Sequence, residues 1–154
     1  MPDLDLGLSA ELHHTVHSRD AAESWANELP VLATPVLLWL AEVACMRAID
    51  EHISDDQLTL GLAHDVTHLA PTPVGDIVVI TATLEAIDGT KLVFGVQAHD
   101  SQDIILRGIH RRARVKRAPF IKRVEDKRRA LAGAHSTPAP EPHPHPIAQI
   151  PTTA

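Results

Sequence analysis

The stretch Val36-Leu-Leu-Trp-Leu-Ala-Glu-Val-Ala-Cys-Met46 decides how this chain is read. Thr34-Pro35 precede it as a helix N-cap and a proline at the first helical position, and apolar residues then run nearly all round a helical cylinder to about Ile49. Such a helix belongs at the centre of a fold. Glu42 stands alone within it. Burial disfavours an ionised carboxylate, and acids are rarely buried without a reason, so Glu42 is the first candidate for proton-transfer chemistry unless a partner such as Arg47 compensates it.

The flanking segments give the order of elements. Ser9–His17 alternates, with Ala10, Leu12, His14 and Val16 on one face of a strand. Residues 18–30 are polar and irregular, with room for a short helix around Ala21–Trp25. After Ser54-Asp-Asp56 come four strand-like segments, Gln57–Ala70, Asp76–Ile87, Lys91–His99 and Ile104–Lys116. Pro71-Thr-Pro-Val-Gly75 joins the first two, and Asp88-Gly89 between the next two signals a tight hairpin. In Asp76–Ile87 the apolar alternation is loose, which predicts partial cover on both faces.

One strand, one long helix and four strands in hairpin order predict an α+β hot-dog fold, an antiparallel sheet wrapped round a single central helix. So small a sheet leaves an edge and a face exposed, and pairing two copies is the ordinary remedy; a homodimer is expected, with further association left open. The domain is expected over residues 1–130. Residues 131–154 form a Pro/Ala/His-rich tail, Ser136-Thr-Pro-Ala-Pro-Glu-Pro-His-Pro-His-Pro146 at its centre, which can neither donate ladder hydrogen bonds nor bury a core and is expected to be disordered.

Composition narrows the function classes. A chain of 154 residues with 44% hydrophobic content fits one soluble domain. No stretch suits a membrane span, and the acidic start Met-Pro-Asp-Leu-Asp lacks the basic region of a secretory signal, so a cytoplasmic protein is expected. Residues 1–106 carry three basic and seventeen acidic side chains, whereas residues 107–154 carry eleven basic and three acidic. The basic end would suit the phosphates of a nucleotide-bearing ligand. With two Phe, two Trp and no Tyr there is no stacking platform for single-stranded nucleic acid, and no nucleic-acid partner is expected. The single cysteine, Cys45, excludes an internal disulfide and a cysteine zinc site. His13, His14 and His17 lack cysteine or clustered carboxylate partners, and His64 and His68, four apart, are read as sharing a helical face rather than a strand face; no metal site is expected.

Leu29-Pro-Val-Leu-Ala-Thr-Pro-Val-Leu-Leu-Trp-Leu-Ala-Glu-Val-Ala-Cys-Met-Arg-Ala48, with Leu60-Gly-Leu-Ala-His-Asp-Val-Thr-His-Leu-Ala-Pro-Thr-Pro-Val-Gly75, resembles the fluoroacetyl-CoA thioesterase family of hot-dog proteins. The similarity continues through Ala98-His-Asp100 and Gly108-Ile-His-Arg-Arg-Ala-Arg-Val115, covering about residues 8–120. It implies hydrolysis of a small acyl-CoA, with Thr34, Glu42 and His68 as catalytic residues. Gly61 and Arg112 fall at the acyl pocket, and Leu29 stands where the family has an aromatic gate residue. The segment before Thr34 is one residue shorter than the family pattern and Pro35 replaces a glycine, so the acyl group stays open. No cofactor is implied beyond the CoA of the substrate, and a noncatalytic acyl-CoA or acyl-carrier binding protein on the same fold is the alternative.

These residue types suit the chemistry. Thioester hydrolysis needs an activated oxygen nucleophile, stabilisation of the oxyanion and a route for the departing sulfur. Glu42 would act as general base on water or attack directly to give an anhydride; His68 would activate water or protonate the thiolate, and Thr34 would orient carboxylate or water. Eight residues of straight helix separate Thr34 from Glu42 by about 12 Å. Either Thr34 folds back from the preceding loop, or the site draws on two protomers.

Overall fold

A computed structural model of the chain describes residues 4–134. The order is β1 (Ser9–Thr15), α1 (Thr34–Ile49), β2 (Gln57–His68), β3 (Ile77–Asp88), β4 (Lys91–His99), β5 (Ile104–Lys116) and α2 (Arg117–Ala134). The short helix expected around Ala21–Trp25 forms as a 3₁₀ helix at Ala22–Trp25, with another just before it at Ser18–Asp20.

Hairpin chemistry sets most of the sheet. Asp88 pairs with Lys91, so β3 and β4 are joined by Gly89-Thr90, and Gly89 takes the positive φ of 58° that such a turn demands. The β4–β5 turn is held by Asp100, whose carboxylate accepts from the Gln102 and Asp103 amides at 2.9 and 2.8 Å and from the Thr72 hydroxyl at 2.9 Å. Burial would raise the Asp100 pKa, but these hydrogen bonds together bring it below the usual value. The resulting sheet is antiparallel throughout, in the order β1-β3-β4-β5-β2. β2, reached through the helix, is therefore an edge strand.

Strand alternation fixes the core face. Val78, Ile80, Ala82 and Leu84 of β3 and Leu92, Phe94, Val96 and Ala98 of β4 are all buried, while the residues between them are not. The expected partial cover on both faces of β3 holds in an uneven form: the face of Val78, Ile80, Ala82 and Leu84 is buried, and Val79, Thr81 and Thr83 opposite are half-buried. α1 lies against that face and buries Val36, Leu37, Leu40, Ala41, Ala44, Cys45, Ala48 and Ile49. The small residues let helix and sheet approach closely. Truncating Phe94 there would cost roughly 3–5 kcal/mol. The opposite side of α1 leaves Trp39 57% and Met46 39% exposed, and Leu62 on β2 is 54% exposed.

The chain divides into two compact units at Arg117. The first holds the sheet and α1. In the second, α2 exposes Lys122, Arg123 and Lys127 to Arg129, with ion pairs along its own surface from Lys122 to Asp126 at 2.7 Å and from Arg129 to Asp126 at 3.7 Å. α2 passes through the expected boundary at 130 to Ala134. The expected disorder of the tail falls outside the described residues from 135 onward. Among the described residues no helix is long and apolar enough to cross a membrane.

Candidate active site

The first cluster sits where α1 begins. Thr34 is itself the first helical residue; Ala33 takes the N-cap position, and no side chain caps the end. The expected capping role of Thr34 is therefore corrected, because Pro35 sits in the first turn of a helix already under way. Its hydroxyl instead meets Nδ1 of His68, the last residue of β2, at 2.9 Å. Burial lowers the His68 pKa, opposed by a backbone hydrogen bond at Ala70, so the ring is neutral at pH 7. Its Nε2 is buried with no hydrogen-bond partner among the described residues. This pair lines an open cleft of about 440 Å³ together with Trp25, Leu29, Leu32 and Ala70.

The second cluster lies two turns further along α1. The Glu42 side chain is 32% exposed, and its Oε1 is 3.2 Å from His64 Nε2 and 4.0 Å from His110 Nε2, while Oε2 is 3.7 Å from Arg112 Nη1. The lone acid expected in an apolar surround is thus half-buried and compensated, by Arg112 rather than Arg47. Arg112 is 2% exposed and fixed from three sides: Nε donates to Thr59 Oγ1 at 3.2 Å, Nη2 to the Thr59 carbonyl at 3.1 Å and Nη1 to His110 Nε2 at 3.2 Å. Burial lowers its pKa and the Glu42 carboxylate opposes this. Though it sits within the basic run, Arg112 is no solvated phosphate ligand.

Two backbone features make room for the carboxylate. β2 carries a bulge between Gly61 and Ala63, with Leu62 as the extra residue. Gly61 lies so close to Glu42 that a Cβ there would collide with Oε1. His110 is fully buried, and desolvation, with His64 and Arg112 adding to it, takes its pKa down to about 4. Cys45, one turn from Glu42, has its thiol pushed up to about 12 by burial, as suits a core residue rather than a nucleophile.

The structure therefore brings Thr34 and His68 together, with Leu29 in the same cleft, and separately brings Glu42, Gly61 and Arg112 together. Since α1 is regular from Thr34, the rise of about 12 Å between Thr34 and Glu42 stands. Sequence reasoning missed His64 and His110. In a strand, residues four apart share a face, and His64, Val66 and His68 are indeed the half-buried positions of outer β2, which corrects the reading of His64 and His68 as unrelated in a strand. His14 also has a carboxylate partner after all, Asp20 Oδ2 at 2.8 Å.

Glu42, His64 and His110 each offer a ligand atom within 4.8 Å of the others, the composition of a cation site. The lone pair of His110 Nε2 that a metal would need already accepts from Arg112, whose fixed positive charge lies against the same carboxylate. The side chains are better satisfied as a hydrogen-bonded network.

Five antiparallel strands packed on one long helix define a hot-dog fold. The family model described as fluoroacetyl-CoA-specific thioesterase matches residues 16–118. Fluoroacetyl-CoA thioesterase of Streptantibioticus cattleyicolor is 37% identical over 116 residues, which is 75% of this chain and 84% of that protein. A solved structure of the fluoroacetyl-CoA thioesterase FlK aligns with a TM-score of 0.76 at 31% identity, covering 81% of this chain and 98% of FlK. A Thermus thermophilus member of the thioesterase superfamily shares the fold, with a TM-score of 0.76 at 21% identity over 84% of this chain and 99% of its own. This chain belongs to the fluoroacetyl-CoA-specific thioesterase family.

Proposed function

We propose that the protein hydrolyses the thioester of a small acyl-CoA, using Glu42, His68 and Thr34, in a homodimer whose active sites are shared between protomers. The observation that carries this is the separation of a Thr34–His68 pair in an open cleft from a fixed Glu42 carboxylate on the same helix. Neither half is complete for thioester chemistry. Support for the substrate class comes from the relative that acts on fluoroacetyl-CoA and from a variant of FlK solved with acetyl-CoA.

A second copy would unite the halves. The edge strand β2 has an unpaired ladder side, and the exposed Trp39, Met46 and Leu62 lie on α1 and β2. Antiparallel pairing of β2 with its copy would cover that edge and carry the His68 end of one strand toward the Gly61 region of the other. Thr34 and His68 of one protomer would then face Glu42 of the partner subunit.

In this arrangement the acyl group occupies the cleft beside Trp25 and Leu29, the residues that would set its size. The Thr34 hydroxyl, 2.9 Å from Nδ1, holds the His68 ring, and Nε2, which has no hydrogen-bond partner among the described residues, is the ring nitrogen left to meet the carbonyl oxygen or the departing sulfur. Glu42 takes the proton of the attacking water as the C–O bond forms and the C–S bond breaks, releasing acid and CoA. Direct attack by the carboxylate would give an anhydride that water then cleaves. Arg112 holds the carboxylate, Gly61 gives it room, and no resident cofactor enters the reaction. The use of acyl-CoA supports a cytoplasmic setting.

Thiol release from a panel of acyl-CoA esters, acetyl to decanoyl with haloacetyl and aryl members, tests the activity. Binding of acyl-CoA without turnover would instead assign a noncatalytic binding protein. Mixing Glu42→Gln and His68→Ala chains tests the sharing. Each variant alone should be inactive, whereas re-formed mixed dimers contain one intact site and should restore about a quarter of wild-type activity; no recovery after proven exchange would place both halves within one chain.

A further inference from the structure

His64 touches Glu42 yet has no part in the reaction as written. Strand alternation turns it from β2 toward α1, where its Nε2 lies 3.2 Å from Glu42 Oε1. Its ring packs on that of His110 at a centroid distance of 4.2 Å and a tilt of 32°. Nδ1 is buried with no hydrogen-bond partner among the described residues. A proton on Nδ1 would be a buried donor without an acceptor, which is more costly than a bare lone pair there, so the proton belongs on Nε2 and points at the carboxylate.

The other groups facing Glu42 cannot supply that bond. From β5, His110 Nε2 already accepts from Arg112 and lies 4.0 Å from Oε1, and Arg112 reaches only Oε2, at 3.7 Å. From α1 itself, the buried Cys45 thiol is at best a weak donor. Gly61 provides space around Oε1 but nothing to hold it.

We propose that His64 is a positioning residue for Glu42, its Nε2–H holding Oε1 over Gly61 so that Oε2 is left as the oxygen that takes the proton of the nucleophile. The proposal rests on Glu42 acting in thioester hydrolysis.

His64→Leu and His64→Gln separate this role from packing, because the glutamine amide can donate to Oε1 and leucine cannot. For His64→Leu, kcat should fall about 10-fold with KM within about twofold. His64→Gln should recover most of the rate. The ¹³C chemical shift of the Glu42 carboxyl in the full-length protein at pH 7 should move in His64→Leu and return in His64→Gln. An unchanged kcat and carboxyl shift in His64→Leu would overturn the proposal, as would equal impairment of both variants. So would activity that is lost on chelation and restored by Zn²⁺, which would make His64 a metal ligand. If the wild-type protein hydrolyses no ester, the thioesterase reading fails on that result, and the carboxyl chemical shift still decides whether His64 holds the Glu42 carboxylate.

Discussion

The start of α1 and its middle offer two styles of site on one helix. At the start, Thr34 and His68 share a hydrogen bond at the wall of an open cleft, and one ring nitrogen has no partner among the described residues. In the middle, Glu42 is met by His64, His110 and Arg112, and Arg112 is itself fixed by three further contacts. In the proposed reaction the two would divide the labour: the carboxylate held by its own chain, the histidine end open to whatever enters the cleft. Preorganised charge acts without having to reorganise during the reaction, whereas an acyl pocket must admit and release its ligand.

The sharpest way to break this contrast is Glu42→Gln. It keeps the volume and removes the base, so turnover should fall by about 10³-fold or more with little change in melting temperature. An equally large loss of stability would mean that the middle cluster is a structural network only.

Arg112→Met should act the other way round. It strips the Thr59 carbonyl, His110 and Glu42 of their donor together, and urea unfolding should show a loss of about 3 kcal/mol. A loss below about 1 kcal/mol would show that water replaces the guanidinium readily.

Acid sharpens the comparison further. His110 titrates at about 4 in the folded protein against an ordinary value of 6.5, so the unfolded chain binds the proton more readily. Its contribution is therefore fully present above pH 6.5 and is lost as pH falls toward 4, by roughly 3 kcal/mol in all. Unfolding measured between pH 7 and 4 should show that slope, and it should diminish in His110→Asn.

Thr34→Val is the mildest probe. It removes one neutral hydrogen bond at an exposed position, and kcat should fall about 10-fold without measurable destabilisation.

Most of the fold was legible because its signals are local. The apolar run of α1, the Asp88-Gly89 turn and the strand breaks each depend on neighbours in sequence, and those elements form within a residue or two of where they were expected. The site was legible in part. Glu42 stood out as a charge in an apolar helix, but its partners come from β2 and β5, at sequence separations no periodicity reports. His64 was passed over although the period of two places it beside His68. Thr34 carried an N-cap signal, and only the position of the strand end shows that its hydroxyl has another use.

The missing side chain at Gly61 has one more consequence. The atom that a methyl group would strike there is the tip of the Glu42 side chain, not backbone, so Gly61→Ala should still fold, with its carboxylate pushed away from His64 and Arg112 at a cost well below that of losing the guanidinium. Drift at this position would pass unseen by chaperones and proteases, which survey only whether a chain is folded, and it would fall to selection on metabolism alone to keep the glycine.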